Sequence, residues 1–139
     1  MKMHDVTGTI YEGMTVYKNK SEKQPKMNHV TNGYVTETRL ELDVHTGTHI
    51  DAPRHMVVDG DTFETIAMDD LVGQCKVFDL TQVDDGISKK DLERFDIQKD
   101  DFVFLKTKNS FEDTFNFDFI YLAQDGAEYL TQLGVRGVG

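Results

Sequence analysis

A single cysteine, Cys75, is present in the 139 residues. No intrachain disulfide framework can form, and a reducing cytoplasmic compartment is the direct reading. No apolar run approaches the roughly 18 residues that a membrane-spanning helix needs. The opening Met1-Lys2-Met3-His4-Asp5-Val6-Thr7 lacks the apolar stretch of a secretory signal. Positive charge is scarce as well: 15 basic side chains face 25 acidic ones, a net charge of −10. Such a surface repels phosphate backbones and anionic lipid, so nucleic acid and membrane are excluded as principal partners. Internal repeats and low-complexity tracts are lacking too. What remains is a chain of ordinary apolar content, 38%, that reads as one soluble globular domain over residues 1–139. Area scaling for this mass predicts a folded surface of about 7,300 Å².

The polar, lysine-rich stretch from Lys18 to Lys26 reads as a solvated loop. From Tyr34 to Val44 the even positions are Tyr, Thr, Thr, Leu, Leu and Val, whereas Glu37, Arg39, Glu41 and Asp43 occupy odd ones. That period of two predicts a half-buried strand with Leu40, Leu42 and Val44 inward. Ile66 to Val72 reads as a short helix stopped by Gly73, and Cys75 to Leu80 as a strand that buries the thiol. Ser88 with Asp91 forms a capping-box pattern ahead of a helix over Lys89 to Phe95. Phe102 to Leu105 reads as a buried strand, and Asp125 to Leu133 as a helix stopped by Gly134. Val135 to Gly139 then reads as a strand without neighbours. Together these elements predict a mixed α/β or α+β domain. The lone strand and the aromatic stretch Phe111 to Tyr121 are association liabilities, which predict a homodimer or higher homo-oligomer.

The chemistry concentrates in His45-Thr46-Gly47-Thr48-His49-Ile50-Asp51-Ala52-Pro53-Arg54-His55, which holds three of the five histidines. Imidazole and carboxylate are the usual ligands of Zn²⁺ and Mn²⁺. Three β-branched residues and Gly47 argue against a helix here. A straight strand would separate His45 from His49 by about 13 Å, too far for one ion. The chain must therefore bend, and Gly47 lies midway, where a bend is easiest. His49 and Asp51, two apart, share a face, and His55 approaches from the turn after Pro53. Thr46, Gly47 and Thr48 are placed to support the ligands from behind, the two threonines by orienting them. His4, beside Asp5 near the terminus, and His29 read as solvated, and Cys75, with no nearby His in sequence, as structural.

The same eleven residues resemble the H-x-G-T-H-x-D-x-P-x-H signature of the cyclase family of metal-dependent hydrolases, which includes kynurenine formamidase and isatin hydrolase. Asp5-Val6-Thr7, Gly13-Met14-Thr15-Val16-Tyr17, Asp70-Leu71-Val72-Gly73, Phe78-Asp79-Leu80-Thr81 and Gly134 to Gly139 are similar to the family as well. The resemblance implies a swivelling β/β/α fold and hydrolysis of an amide, formamide or lactam bond in a small-molecule substrate. It implies that His45, His49 and Asp51 bind a first metal. Asp51 would bridge to a second ion faced by His55, and His55 would also transfer protons. Tyr17 would contact substrate. The family pattern adds a His and a Glu further along, and this chain has no histidine after His55. The fold and second metal site are therefore expected to be incomplete. The alternative is a catalytically weak or inactive metal-binding or assembly module.

Overall fold

A computed structural model of the chain describes residues 4–139. Its elements are mixed α and β, and they group into two compact units. The first runs to Thr65 and includes Asp113–Phe115; the second comprises Ile66–Glu112 and Asn116–Gly139.

In the first unit β1 (Lys26–Asn32) and β2 (Val35–Glu41) form an antiparallel hairpin. Gly33 at φ 63° supplies the positive φ that the first position of a two-residue type II′ loop requires. The period of two in β2 is real, but its burial is not. Every residue of β2 is exposed, Leu40 at 57%, and Leu42 and Val44 beyond it are exposed too. The reason is the partner count: a two-stranded ribbon has no covering layer, so alternation sorts the two faces without burying either. β1 was not anticipated, and it takes Lys26 out of the lysine-rich loop. The preceding residues turn twice as short 3₁₀ segments, Tyr17–Asn19 and Ser21–Lys23.

The second unit is built on parallel strands. β3 (Cys75–Asp79), β5 (Phe102–Lys106) and β7 (Gly137–Val138) form one sheet in the order β3-β5-β7. β4 (Gly86–Ile87) and β6 (Tyr121–Leu122) form a second, small parallel pair. Helices α1 (Lys89–Leu92) and α2 (Gln124–Leu133) lie in the connections, as parallel pairing demands. The core gathers Leu80, Ile87, Leu92, Ile97, Val103, Ile120 and Leu130.

The capping box is present: Asp91 accepts from the backbone N–H and the hydroxyl of Ser88. After Leu92 the chain tightens, with Phe95 N–H bonding the Leu92 carbonyl, so α1 ends short of Phe95. Gly134 closes α2 at φ 73°. Its N–H meets the Thr131 carbonyl and that of Val135 meets Leu130, a Schellman end.

Three other expectations change. The Ile66 to Val72 segment is only a 3₁₀ turn, Met68–Leu71, because Arg136 Nη1 takes the carbonyls of Asp69 and Val72, both at 2.9 Å. Cys75 is exposed, since the face of β3 that carries Cys75, Val77 and Asp79 is turned to solvent. The terminal strand has a neighbour: Gly137 and Val138 pair with Phe102 and Val103. The total accessible surface is 10661 Å², well above the scaling value, in keeping with the uncovered hairpin. No helix among the described residues is long and apolar enough to cross a membrane.

Candidate metal centre

The bend expected between His45 and His49 is made by a turn. β2 ends at Glu41, and Asp43 then reorganises the backbone. Its Oδ1 accepts the His45 N–H at 3.0 Å, and its carbonyl accepts the Thr46 N–H at 3.0 Å. The Lys23 ammonium, with the His45 amide, holds the Asp43 carboxyl below its ordinary value. Gly47 follows at φ 66°, a left-handed conformation that a side chain resists, and a Cβ there would stand 3.3 Å from Ile10 Cγ1.

This path brings the ligand candidates together. One donor atom from each of His45, His49 and Asp51 lies within 4.8 Å of the others. His45 Nδ1 is 2.8 Å from Asp51 Oδ1, and His49 Nε2 is 3.7 Å from the same oxygen. Ligands about 2.1 Å from a tetrahedral ion sit about 3.4 Å apart, so these separations bracket the required edge. The donor set, two imidazoles and one carboxylate, suits Zn²⁺ or Mn²⁺. His49 Nδ1 donates to the Gly47 carbonyl at 2.7 Å, which leaves Nε2 as the ring nitrogen on the Asp51 side.

His55 sits on the 3₁₀ turn Pro53–His55, outside the set of three. Its ring centroid lies 4.1 Å from that of His45, at 50°. It is adjacent to the cluster and exposed to solvent.

Of the three residues expected to support the ligands, Gly47 touches one through its carbonyl. The Thr48 hydroxyl instead accepts from Gly8 N–H at 2.9 Å and reaches the Val6 carbonyl. Thr46, 6% exposed, keeps its hydroxyl buried with no hydrogen-bond partner among the described residues. An orphaned buried hydroxyl is costly and is commonly found where a ligand or water completes a site. Thr46 lines an open cleft of about 300 Å³ with His45, Lys23, Tyr17 and Phe115. Tyr17 and Phe115 meet edge to face there, 5.2 Å between centroids. Asp43 and Lys23 are the structural contributors that sequence reasoning missed. Asp43, two residues before His45, carries an Asx-turn signal, whereas Lys23 lies 20 residues away and carries none. His29 is spent on Thr38, and His4 is exposed.

Comparison with known proteins agrees with this fold. Residues 4–139 match the family model described as "Putative cyclase". The chain belongs to the cyclase family. It is 61% identical to a solved structure of a potential metal-dependent hydrolase with cyclase activity, with a TM-score of 0.89 over 98% of this chain and 65% of that one. A predicted metal-dependent hydrolase from Bacillus stearothermophilus is 65% identical, with a TM-score of 0.85 over 98% of this chain and 66% of that one. The kynurenine formamidase of Bacillus mycoides (strain KBAB4) is 32% identical over 112 residues, 77% of this chain and 51% of the relative. That of Erythrobacter litoralis (strain HTCC2594) is 27% identical over 143 residues, 99% of this chain and 64% of the relative. The chain thus spans about half the length of the first of these relatives. Its fold is the mixed α/β fold of cyclase-like hydrolases.

Proposed function

We propose that this chain carries the metal-binding residues of a hydrolase that opens a C–N bond, an amide, formamide or lactam, in a small-molecule substrate. The convergence of His45, His49 and Asp51 carries the reading. The names of the kynurenine formamidases and metal-dependent hydrolases it resembles support it. Residues 1–139 act in it as a single cyclase-like domain, working in the cytoplasm.

In this reading His45, His49 and Asp51 hold a divalent ion, Zn²⁺ or Mn²⁺, and Asp51 is the carboxylate available to a second. When bound, such an ion supplies Lewis acidity toward a carbonyl and an acidified water. The protein's own residues do the rest. The Gly47 carbonyl fixes the His49 ring and its tautomer. His55, outside the ligand set and open to solvent, takes a proton at a ring nitrogen and returns it to the leaving amine. Tyr17 and Phe115 offer aromatic surface at the cleft for the substrate's acyl or aryl part. Thr46 has a hydroxyl to give to a polar substrate atom.

Elemental analysis of untagged protein, paired with turnover of formyl-amide and lactam substrates, tests the proposal. About one equivalent of Zn²⁺ or Mn²⁺ with measurable turnover is expected. Less than about a tenth of an equivalent after reconstitution removes the metal site. Bound metal without turnover leaves a metal-binding module, the alternative reading.

A further inference from the structure

Three acceptor atoms of Asp43 hold the turn that leads into the metal cluster. Its carbonyl accepts the Thr46 N–H at 3.0 Å, and its Oδ1 accepts the His45 N–H at 3.0 Å. Its Oδ2 takes the Lys23 ammonium. The first bond closes a four-residue turn from Asp43 to Thr46, and the second is the i to i+2 bond of an Asx turn. His45 is the third residue of that turn, so Asp43 sets the backbone from which its imidazole projects. No other hydrogen bond reaches the His45 or Thr46 amide among the described residues. Burial does not replace these bonds, because Val44, the other central residue of the turn, is 80% exposed. Strand pairing does not replace them either, since β2 ends at Glu41.

We infer, on the reading that His45, His49 and Asp51 hold an ion, that Asp43 is a positioning residue of the metal centre and acts on His45 through the His45 and Thr46 amides. Asp43 is not one of the three donors. Both of its carboxylate oxygens are already committed, one to a backbone amide and one to Lys23. An ion that binds a loose chain must order it, and each backbone residue it fixes costs conformational entropy. A turn closed before the ion arrives removes that cost, as preorganisation does at any binding site. The turn ends where Gly47 bends the chain at φ 66°, so it holds His45 on one side of the bend, with Nδ1 at 2.8 Å from Asp51 Oδ1. On the other side the Gly47 carbonyl holds the His49 ring. Asp43 thus does for the backbone of one ligand what Gly47 does for the ring of the other. The side chains of Lys23 and Asp43 are 28% and 26% exposed, and an ion pair this open to water adds little to global stability. Its effect therefore falls on the local turn, and through the turn on the ion.

Competitive Zn²⁺ titration of the untagged full chain, as wild type, Asp43→Asn and Asp43→Ala, tests this. Both variants remove the carboxylate charge and the partner of Lys23. Asparagine keeps a side-chain oxygen for the His45 N–H, as Asx turns allow, and alanine does not. The difference between the two variants therefore reads positioning and not charge. Asp43→Ala should bind Zn²⁺ about 10- to 100-fold more weakly than Asp43→Asn, the usual effect of losing an outer-shell partner. Hydrogen exchange of the metal-free proteins is a second readout. The His45 and Thr46 amides should exchange faster in Asp43→Ala than in Asp43→Asn, while the paired amides of β1 exchange alike in both. A wild type that takes up no Zn²⁺ would remove the metal reading itself, and this inference with it. Equal Zn²⁺ affinity in the two variants would overturn the inference alone and leave Asp43 acting by charge or as a ligand. Equal exchange at His45 and Thr46, or a loss of protection that spreads to β1, would overturn it as well.

Discussion

His49 gives one ring nitrogen to the Gly47 carbonyl, 2.7 Å away, and turns the other toward Asp51. A carbonyl can only accept, so Nδ1 carries a proton, and Nε2 is the nitrogen left to face a metal ion. Gly47 therefore does two things at once, bending the chain at φ 66° and holding the ring of a candidate ligand. Gly47→Ala should lose both. A left-handed alanine costs about 1–2 kcal/mol, and displacing an outer-shell partner costs about 10–100-fold in metal affinity. Thermal denaturation and competitive metal titration read the two effects. An unchanged metal affinity would show that the Gly47 carbonyl does not position His49.

Asp51 is the hub of the cluster, with both His45 and His49 facing its Oδ1. Asp51→Asn keeps the shape but removes the charge that offsets a divalent ion. Bound metal should fall from about one equivalent to below about a tenth. A variant that still holds a full equivalent would place the carboxylate outside the ligand set.

His55 stands next to His45 without joining the three donors. His55→Ala should therefore lower turnover by about 10²- to 10⁴-fold, the usual worth of a positioned acid–base group. Metal content at the first site should be kept. Loss of metal together with activity would make His55 a ligand.

The cluster was legible in the sequence because its members lie within eleven residues, where local geometry limits what the chain can do. The β-branched residues around Gly47 argued against a helix and the ligand spacing required a bend; the structure makes both true. The capping box and the Gly134 stop were legible for the same reason. What could not be read depends on distant partners. Lys23 reaches Asp43 across 20 residues, and Arg136 takes the Asp69 carbonyl across 67, leaving a 3₁₀ turn where a helix was expected. The alternation of β2 reported a strand correctly. It could not report whether any layer covers that strand, and so Leu40 was placed inward. Cys75 is the same case, because which face of β3 is covered belongs to the sheet's packing and not to the segment.

Gly126 lies in the first turns of α2, where glycine is a poor helix former. Replacement by alanine should gain about 1 kcal/mol of helix propensity. The structure opposes it: a Cβ would stand 2.6 Å from the Ile87 carbonyl and 3.0 Å from Leu122 Cδ1. The nearer atom is backbone of β4 and cannot swing aside. Overpacking costs about 1–3 kcal/mol, so the clash should win. Gly126→Ala is expected to destabilise the protein by up to about 2 kcal/mol in urea unfolding. A stabilised variant would show that α2 can lift from β4 at little cost.

Asp101 offers an acid-stability test away from the metal centre. It is 4% exposed, immediately before β5, with Lys76 Nζ at 2.8 Å and the Gln98 N–H donating to Oδ2 at 2.8 Å. The Lys76 ammonium, then the Gln98 amide, hold its carboxyl below the ordinary value of 3.8. A carboxyl depressed in the folded state binds its proton more readily when unfolded. Its contribution is thus complete above the unfolded pKa of about 3.9, and it fades as pH falls through the lower folded value. Asp101→Asn removes the titration, so its stability should change less with pH below about 4 than that of the wild type. Near neutral pH the variant should be less stable, because Lys76 loses its partner. Urea midpoints from pH 7 to pH 2.5 check both statements. Parallel acid limbs for the two proteins would mean that Asp101 has the same pKa folded and unfolded, and that the Lys76 contact does not hold it charged.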